Sequence, residues 1–269
     1  MPALRISLVQ GATRWHDPAA NREYYGAAIA PLRGQSDLVL LPETFTSGFS
    51  NEAIHNAETM EGPTVAWLRE QARALDAAIT GSVQLRVGAG ADAKVYNRLL
   101  FATPDGTIRH YDKRHLFRYA REHERYAPGS ERLIVEWRGW RICPQVCYDL
   151  RFPVYSRNRY DSAAQRFDYD LVLFVANWPS ARRYAWSTLL RARAIENLIY
   201  CAGLNRVGID GNDLQYSGDS AVLDFLGQPL AELGPQEQVI TVRLDDAALK
   251  AHRERFPAWM DADSFELRG

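Results

Sequence analysis

The chain has 269 residues, 46% of them hydrophobic and 24% charged, with a formal net charge of −1. That composition is typical of a folded, soluble protein with a sizeable core. Its near-neutral balance gives no global attraction to nucleic acid or to an anionic membrane surface. No stretch approaches the roughly 20 apolar residues of a membrane helix, and the opening "MPALRISLVQG" is too short an apolar run for a signal peptide. Three cysteines, Cys143, Cys147 and Cys201, are too few and too odd in number for a disulfide framework, so a reducing, cytoplasmic setting is expected.

Apolar runs alternate with helical patterns along the chain. "LRISLVQ" predicts a strand and "PAANREYYGAAIAPL" a helix; "SDLVLLPE" is a near-continuously apolar strand, as expected when both faces are covered. "PTVAWLREQARALDA" begins with proline and carries apolar residues at helical spacing, so a second helix is expected. "AAITGSVQLR" and "VYNRLLFATPDGTIRHYDK" read as strands, the latter folded at Pro104-Asp105-Gly106. "RLIVEW" and "WRICPQV" are strands joined at Arg138-Gly139, and "FPVYSRNRY" is expected to open a helix. "YDLVLFVANWP" predicts another buried strand, and "AWSTLLRARAIENL" the clearest amphipathic helix. "IYCAGLNRVG", "SAVLDFLGQPLAEL" (turning at Leu226-Gly227) and "QVITVRL" complete the strands; "DDAALKAHRERF" is a last helix before a C-terminal tail. No low-complexity linker or compositional break interrupts the series. A single domain over 1–269 is expected, an α/β fold of mixed sheets covered by helices.

In such folds reactive groups gather beyond the carboxyl ends of strands. "LVLLPET" ends in Glu43, "IRHYDKRHLF" delivers Lys113, and "RICPQVCYD" delivers Cys147. A free thiol, with a pKa of about 8.5, is mostly protonated at neutral pH. It becomes a nucleophile if a base takes its proton, or if a helix N-terminus and a nearby cation stabilise the thiolate. Glu43 is the candidate base. Lys113 and the backbone N–H of Tyr148 are the candidate donors to an oxyanion on a carbonyl under attack. Cysteine, base and oxyanion donors together make an acyl-transfer site.

"LPETFTSGF", "YDKRHLF" and "VCYDLRFP", in that order, resemble the three signature segments of the nitrilase superfamily of carbon–nitrogen hydrolases. The resemblance extends through "NWP", "RARAIEN" and "GDS" to "FPAWMDADSF". The wording of "KRHLFRYAREHERYAPG", "CYDLRFPVYSRN", "VANWP" and "NRVG" is similar to the omega-amidase branch, which hydrolyses 2-oxoglutaramate. The resemblance implies a four-layer α-β-β-α sandwich of two mixed β-sheets. It also implies Glu43 as general base, Lys113 as oxyanion stabiliser, Cys147 as nucleophile and a second glutamate between the lysine and the cysteine. Glu122, by its place before the Pro-Gly pair of "EHERYAPG", matches that second glutamate; Glu124 is then a surface residue. The implied reaction passes through a cysteine thioester with no metal or organic cofactor. The family also pairs through helices next to the nucleophile, which makes a homodimer or larger homo-oligomer the expected assembly and "AWSTLLRARAIENL" a candidate contact.

A 2-oxo dicarboxylic monoamide carries a carboxylate far from its amide, so a cation should meet it. Arg114, His115, Arg182 and Arg183 lie near the motif segments, Phe45, Phe117 and Trp178 are candidate pocket walls, and Asn177 is a candidate hydrogen-bond partner for substrate. Arg151, Arg193 and Glu196 are expected to form internal ion pairs, and Cys143 and Cys201 to be buried strand residues. His110, His115 and His123 lack a metal-ligand spacing and have Lys113 among them, which argues against zinc. A papain-like protease needs a histidine base that no comparable strand end supplies. Nitrile hydrolysis, N-carbamoyl amino acid hydrolysis, simple amide hydrolysis and a non-catalytic interaction role remain as alternatives on the same scaffold.

Overall fold

The structure is a computed structural model that describes residues 3–267. The strands of its first half are β1 Leu4–Gln10, β2 Leu38–Leu40, β3 Ala78–Val87, β4 Lys94–Ala102 and β5 Ile108–Asp112. A second series follows: β6 Val135–Trp137, β7 Trp140–Val146, β8 Tyr160–Asp161, β9 Arg166–Phe167, β10 Leu171–Ala176 and β11 Tyr200–Asn205. The last are β12 Val207–Ile209, β13 Gln215–Ser217, β14 Ala221–Leu223, β15 Pro229–Glu232 and β16 Gln238–Leu244. The α-helices are α1 Pro18–Ile29, α2 Ala53–Asn56, α3 Pro63–Leu75, α4 Arg183–Asn197 and α5 Asp246–Arg255.

Local chemistry sets the helix ends. Asp17 accepts from the Ala20 N–H ahead of Pro18, and Asp245 accepts from the Ala247 and Ala248 N–H groups at the start of α5. Asp76 closes α3 in the left-handed conformation, φ 52°.

Two six-stranded mixed sheets form, ordered β16-β1-β2-β3-β4-β5 and β15-β14-β11-β10-β7-β6. β1, β2 and β3 are parallel, as are β7, β10 and β11, so both sheets have a parallel centre with antiparallel flanks. Side-chain alternation then assigns the layers. Leu4, Ile6, Leu8, Leu38, Leu40, Leu99 and Phe101 face the second sheet in one shared core. Val9, Val39, Leu41, Ile79 and Leu100 face the other way, against Tyr25 and Ile29 of α1 and Val65 and Leu68 of α3. On the far side Trp186, Leu190 and Ala194 of α4 pack on the second sheet. Gly203 of β11 permits that approach, since a Cβ there would lie 2.5 Å from Leu190 Cδ1. The molecule is a four-layer α-β-β-α sandwich.

Most predicted elements are present, with two corrections. "SDLVLLPE" yields only a three-residue strand, because Pro42 has no N–H to continue the ladder beyond the Leu41 N–H bond to Thr80 O (2.7 Å). No helix opens at Phe152; a 3₁₀ turn, Cys147–Arg151, follows β7 instead. Phe152 precedes Pro153 and sits at φ −116°, ψ 83°, outside the helical region that a following proline disfavours. Asp37 clasps the two sheets. Its carboxylate accepts from Arg5 N (2.8 Å) and Nε (3.1 Å) on β1 and from Arg138 in the β6–β7 turn, while its carbonyl accepts from Trp137 Nε1 (2.7 Å).

Candidate active site

Four strand ends converge. Glu43 lies just beyond β2 and Lys113 just beyond β5 in the first sheet; Cys147 follows β7 and Asn177 follows β10 in the second. β5 runs in the direction of β2 because two antiparallel steps, β3–β4 and β4–β5, separate β5 from the parallel pair β2–β3. The loop after Lys113 then folds back. Gly129 N–H donates to Lys113 O (3.0 Å), and a Cβ on Gly129 would lie 2.1 Å from Asp112 O, so only glycine admits this return. The return buries Glu122 beside Lys113.

The polar centre is buried and its charged groups are paired. Lys113 Nζ donates to Glu43 Oε1 (2.9 Å) and to both oxygens of Glu122 (3.0 and 3.0 Å). Glu43 also accepts from Asn97 Nδ2 (2.8 Å) and from the Asn177 backbone N–H (2.8 Å). The Asn177 amide group reaches back to Glu43 O (2.7 Å). Glu122 further accepts from Phe117 N–H (2.6 Å). Glu43, Lys113 and Glu122 are all buried, whereas Glu124 is exposed and pairs with Arg121. Unpaired, these charges could not persist in such a place; paired and hydrogen-bonded, they can.

Electrostatics assigns the resting protons. Burial alone favours a neutral amine at Lys113, but the Glu122 and Glu43 carboxylates outweigh it and keep the ammonium's pKa well above its ordinary value. Burial, reinforced by the Glu43 charge and opposed by Lys113, raises Glu122. Burial and then the Glu43 carboxylate push the Cys147 thiol well above its ordinary value, against the pull of Lys113. The resting sulfur is therefore a thiol at neutral pH, and reaction requires a base at the moment of attack. Of the two activation routes open in the sequence, the site favours the base.

Cys147 is 9% exposed where Cys143 and Cys201 are 0%, which separates the one thiol that a ligand can reach from two that it cannot. Burial pushes the Cys143 thiol up to about 12. Cys147 adopts φ 47°, and Thr44, next to Glu43, φ 43°. For residues with a Cβ that left-handed conformation costs about 1–2 kcal/mol each. Both strained residues border the reacting groups, as strain at functional sites commonly does. Sγ lies 3.9 Å from the Asn177 carbonyl oxygen. The Tyr148 N–H sits in the first turn of the 3₁₀ segment, where no intrahelical acceptor exists.

The small cavity over this cluster, ≈ 50 Å³, is lined by Glu43, Lys113, Cys147, Tyr148, Phe117, Asn177 and Trp178. Its walls also include Phe49, Leu214 and Tyr216, and two guanidiniums, Arg151 and Arg182. Arg151 lies over the Trp178 ring (4.8 Å) and Arg182 over Phe117 (5.2 Å). Three expectations are corrected here. Phe45 does not line the cavity; it is core, edge-on to Tyr25 at 5.8 Å, because the Thr44 turn sends it toward α1 and α3. His115 faces away, bonded through Nδ1 to Asp149 (2.8 Å) and stacked on Phe152. Among the described residues Arg151 forms no ion pair, whereas Arg193 does, with Glu196 (2.8 Å). Of the other cations, Arg183 pairs with Asp219 and Arg114 with Ser130 O. Asn97 escaped the sequence reading, although a lone asparagine in the apolar run "VYNRLLF" was an available signal.

A sequence model for carbon-nitrogen hydrolases matches residues 5–254. The chain belongs to the carbon-nitrogen hydrolase family. It is 49% identical to the omega-amidase YafV of Yersinia enterocolitica over 99% of this chain and 100% of that one. It is 31% identical to a 2-oxoglutaramate amidase of Bacillus subtilis, covering 95% and 96%. A crystal structure of XC1258 from Xanthomonas campestris, a CN-hydrolase superfamily protein with an arsenic adduct in its active site, superposes with a TM-score of 0.97 at 68% identity over 100% of both chains. Among the described residues no helix is long and apolar enough to cross a membrane, and no group of three or more His, Cys, Asp or Glu side chains could hold a metal ion.

Proposed function

We propose that this protein hydrolyses the terminal amide of a 2-oxo dicarboxylic acid monoamide of the 2-oxoglutaramate type, giving the acid and ammonia, through a thioester on Cys147. The observation that carries the reading is the buried Glu43–Lys113–Glu122 cluster beside a reachable protonated thiol, in a cavity whose walls hold two guanidiniums. The similarity to an omega-amidase and a 2-oxoglutaramate amidase supports the substrate class. The arsenic adduct in the Xanthomonas active site also fits a reactive thiol, since arsenic is thiophilic.

In this mechanism Glu43 takes the Cys147 proton as sulfur attacks the amide carbonyl. The oxyanion is met by Lys113 Nζ and the Tyr148 N–H, and one Glu122 contact at Nζ gives way to it. Collapse of the adduct returns the proton from Glu43 to the departing nitrogen, so ammonia leaves and a thioester remains. Water, deprotonated by Glu43, then attacks the thioester; the acid departs and the thiol is restored. Glu122 keeps Lys113 oriented and its charge paired throughout. Arg151 and Arg182 receive the distal carboxylate, which favours a carboxylate-bearing amide over a nitrile or a simple aliphatic amide. No cofactor has a step. As part of the same reading, the chain acts as a homo-oligomer in the cytoplasm, pairing through the face of α4 that leaves Tyr184 and Ile195 exposed.

The deciding experiment measures ammonia release from 2-oxoglutaramate, glutamine, asparagine, simple amides, nitriles and N-carbamoyl amino acids. Turnover is expected to be fastest on the first and absent in Cys147→Ala that remains folded. Hydroxylamine should divert the acyl group to a hydroxamate. Activity retained without Cys147, or an acyl adduct on Cys143 or Cys201, overturns the scheme.

A further inference from the structure

The proposed chemistry leaves one buried carboxylate beneath the site unused. Asp149 is 0% exposed, two residues after the nucleophile, and among the described residues forms no salt bridge with an arginine or lysine. Its Oδ2 accepts from the Val146 N–H (3.0 Å) and the Tyr111 hydroxyl (2.8 Å). Its Oδ1 accepts from the His115 N–H (3.0 Å) and lies 2.8 Å from His115 Nδ1. The Tyr111 oxygen in turn accepts from the Arg114 N–H (3.2 Å).

These partners fall on two segments only. Val146 immediately precedes Cys147, while Tyr111 and His115 stand two residues to either side of Lys113. One carboxylate thus ties the ammonium-bearing segment of the first sheet to the sulfur-bearing turn of the second, though no backbone pairing joins these sheets. The turn needs a tie, because Cys147 at φ 47° persists only if its surroundings over-determine it. His115 Nδ1 and Tyr111 supply side-chain donors, and His115 is clamped by its stack on Phe152, 3.8 Å between ring centroids.

We propose that Asp149, acting through Tyr111 and His115, is a positioning residue that fixes the separation between the Lys113 ammonium and the Cys147 sulfur. Asp149 touches neither substrate nor reacting atoms. Its effect is on how often sulfur, carbonyl and ammonium are aligned, so it acts on kcat rather than on substrate capture. This rests on the thioester reading above.

The test uses Tyr111→Phe, which deletes one donor, and Asp149→Asn, which turns an amide N–H toward donors on at least one side. For variants that melt as folded proteins, two quantities are read at a temperature well below unfolding. One is steady-state kcat and KM on 2-oxoglutaramate. The other is the pH profile of Cys147 alkylation by iodoacetamide, located by peptide mass spectrometry. A misplacement near 1 Å costs about 10²-fold, so kcat should fall roughly 10-fold in Tyr111→Phe and about 10²-fold in Asp149→Asn with KM within about 2-fold. The alkylation profile should shift in both, because the sulfur moves relative to Lys113 and Glu43. Folded variants with wild-type kcat and an unmoved alkylation profile overturn the proposal. If the wild-type protein releases no ammonia from any amide, the functional reading fails instead, and the alkylation profile alone decides the role of Asp149.

Discussion

Replacing Glu43 by glutamine separates the proton-accepting role of this residue from its structural one. The carboxylate has four donors around it: Lys113 Nζ (2.9 Å) and Asn97 Nδ2 (2.8 Å) on Oε1, and the Asn177 N–H (2.8 Å) with Asn177 Nδ2 (3.4 Å) on Oε2. An amide keeping its oxygen toward Lys113 and Asn97 turns its NH₂ on the Asn177 N–H, donor against donor. One unsatisfied buried donor costs about 1–3 kcal/mol of stability. Loss of a general base costs about 10²–10⁴ in rate, or roughly 3–5 kcal/mol of barrier. The thiol should respond in the opposite sense. The Glu43 charge is, after burial, the main influence raising it, so its removal lowers the thiol pKa and speeds alkylation at a given pH. Glu43→Gln is therefore expected to be a folded protein with a more reactive sulfur and a much slower amidase reaction. Melting curves, iodoacetamide alkylation between pH 6 and 10 (about the range in which thiols ionise) and ammonia release measure the three quantities. Turnover within tenfold of wild type, or a thiol pKa that rises, would refute the assignment of Glu43 as base.

Arg151→Met should raise KM for 2-oxoglutaramate by about 10–150-fold, the worth of a charged hydrogen bond, while leaving KM for a simple aliphatic amide nearly unchanged. Paired kinetics on the two substrates check it. Asp37→Asn should cost about 1–3 kcal/mol at neutral pH. Burial works against ionisation of Asp37, but Arg5 and Arg138 overcome it and hold its pKa below the ordinary 3.8. The stability this carboxylate contributes is thus present above that value and lost as pH falls through the lower folded one. Urea unfolding of both proteins should show the gap closing in acid; a gap independent of pH would contradict the clasp. Gly203→Ala should lower stability by about 1–3 kcal/mol through overpacking against Leu190, read as a lower melting temperature with KM unmoved.

The strands and long helices were legible because their apolar periods are regular, and the catalytic candidates because Glu43, Lys113 and Cys147 each end a readable strand. What resisted reading depends on single backbone angles. Phe45 stands two residues after Glu43, and only the left-handed Thr44 decides that it enters the core rather than the cavity. His115 stands two residues after Lys113 yet turns to the buried Asp149, a partner 34 residues away that no local pattern announces. Arg151 has no step in the chemistry and so reads from sequence as an ion-pair former; only the 3₁₀ turn Cys147–Arg151 brings it to the cavity wall. Asn97 needed the β3–β4–β5 ladder, which places it beside Lys113 through the Lys113 N–H bond to Asn97 O (3.0 Å).

The sealed centre also fixes a charge balance. Passing the sulfur's hydrogen to Glu43 moves a charge within the buried cluster of Glu43, Lys113, Glu122 and Cys147 and leaves the cluster's net charge unchanged. Making the thiolate imports no ion from water, so added electrolyte has little to screen at that step. Capture of an anionic molecule by guanidiniums at the cavity mouth is a long-range attraction between opposite charges. Ionic strength should accordingly weaken encounter and leave the intrinsic turnover almost untouched.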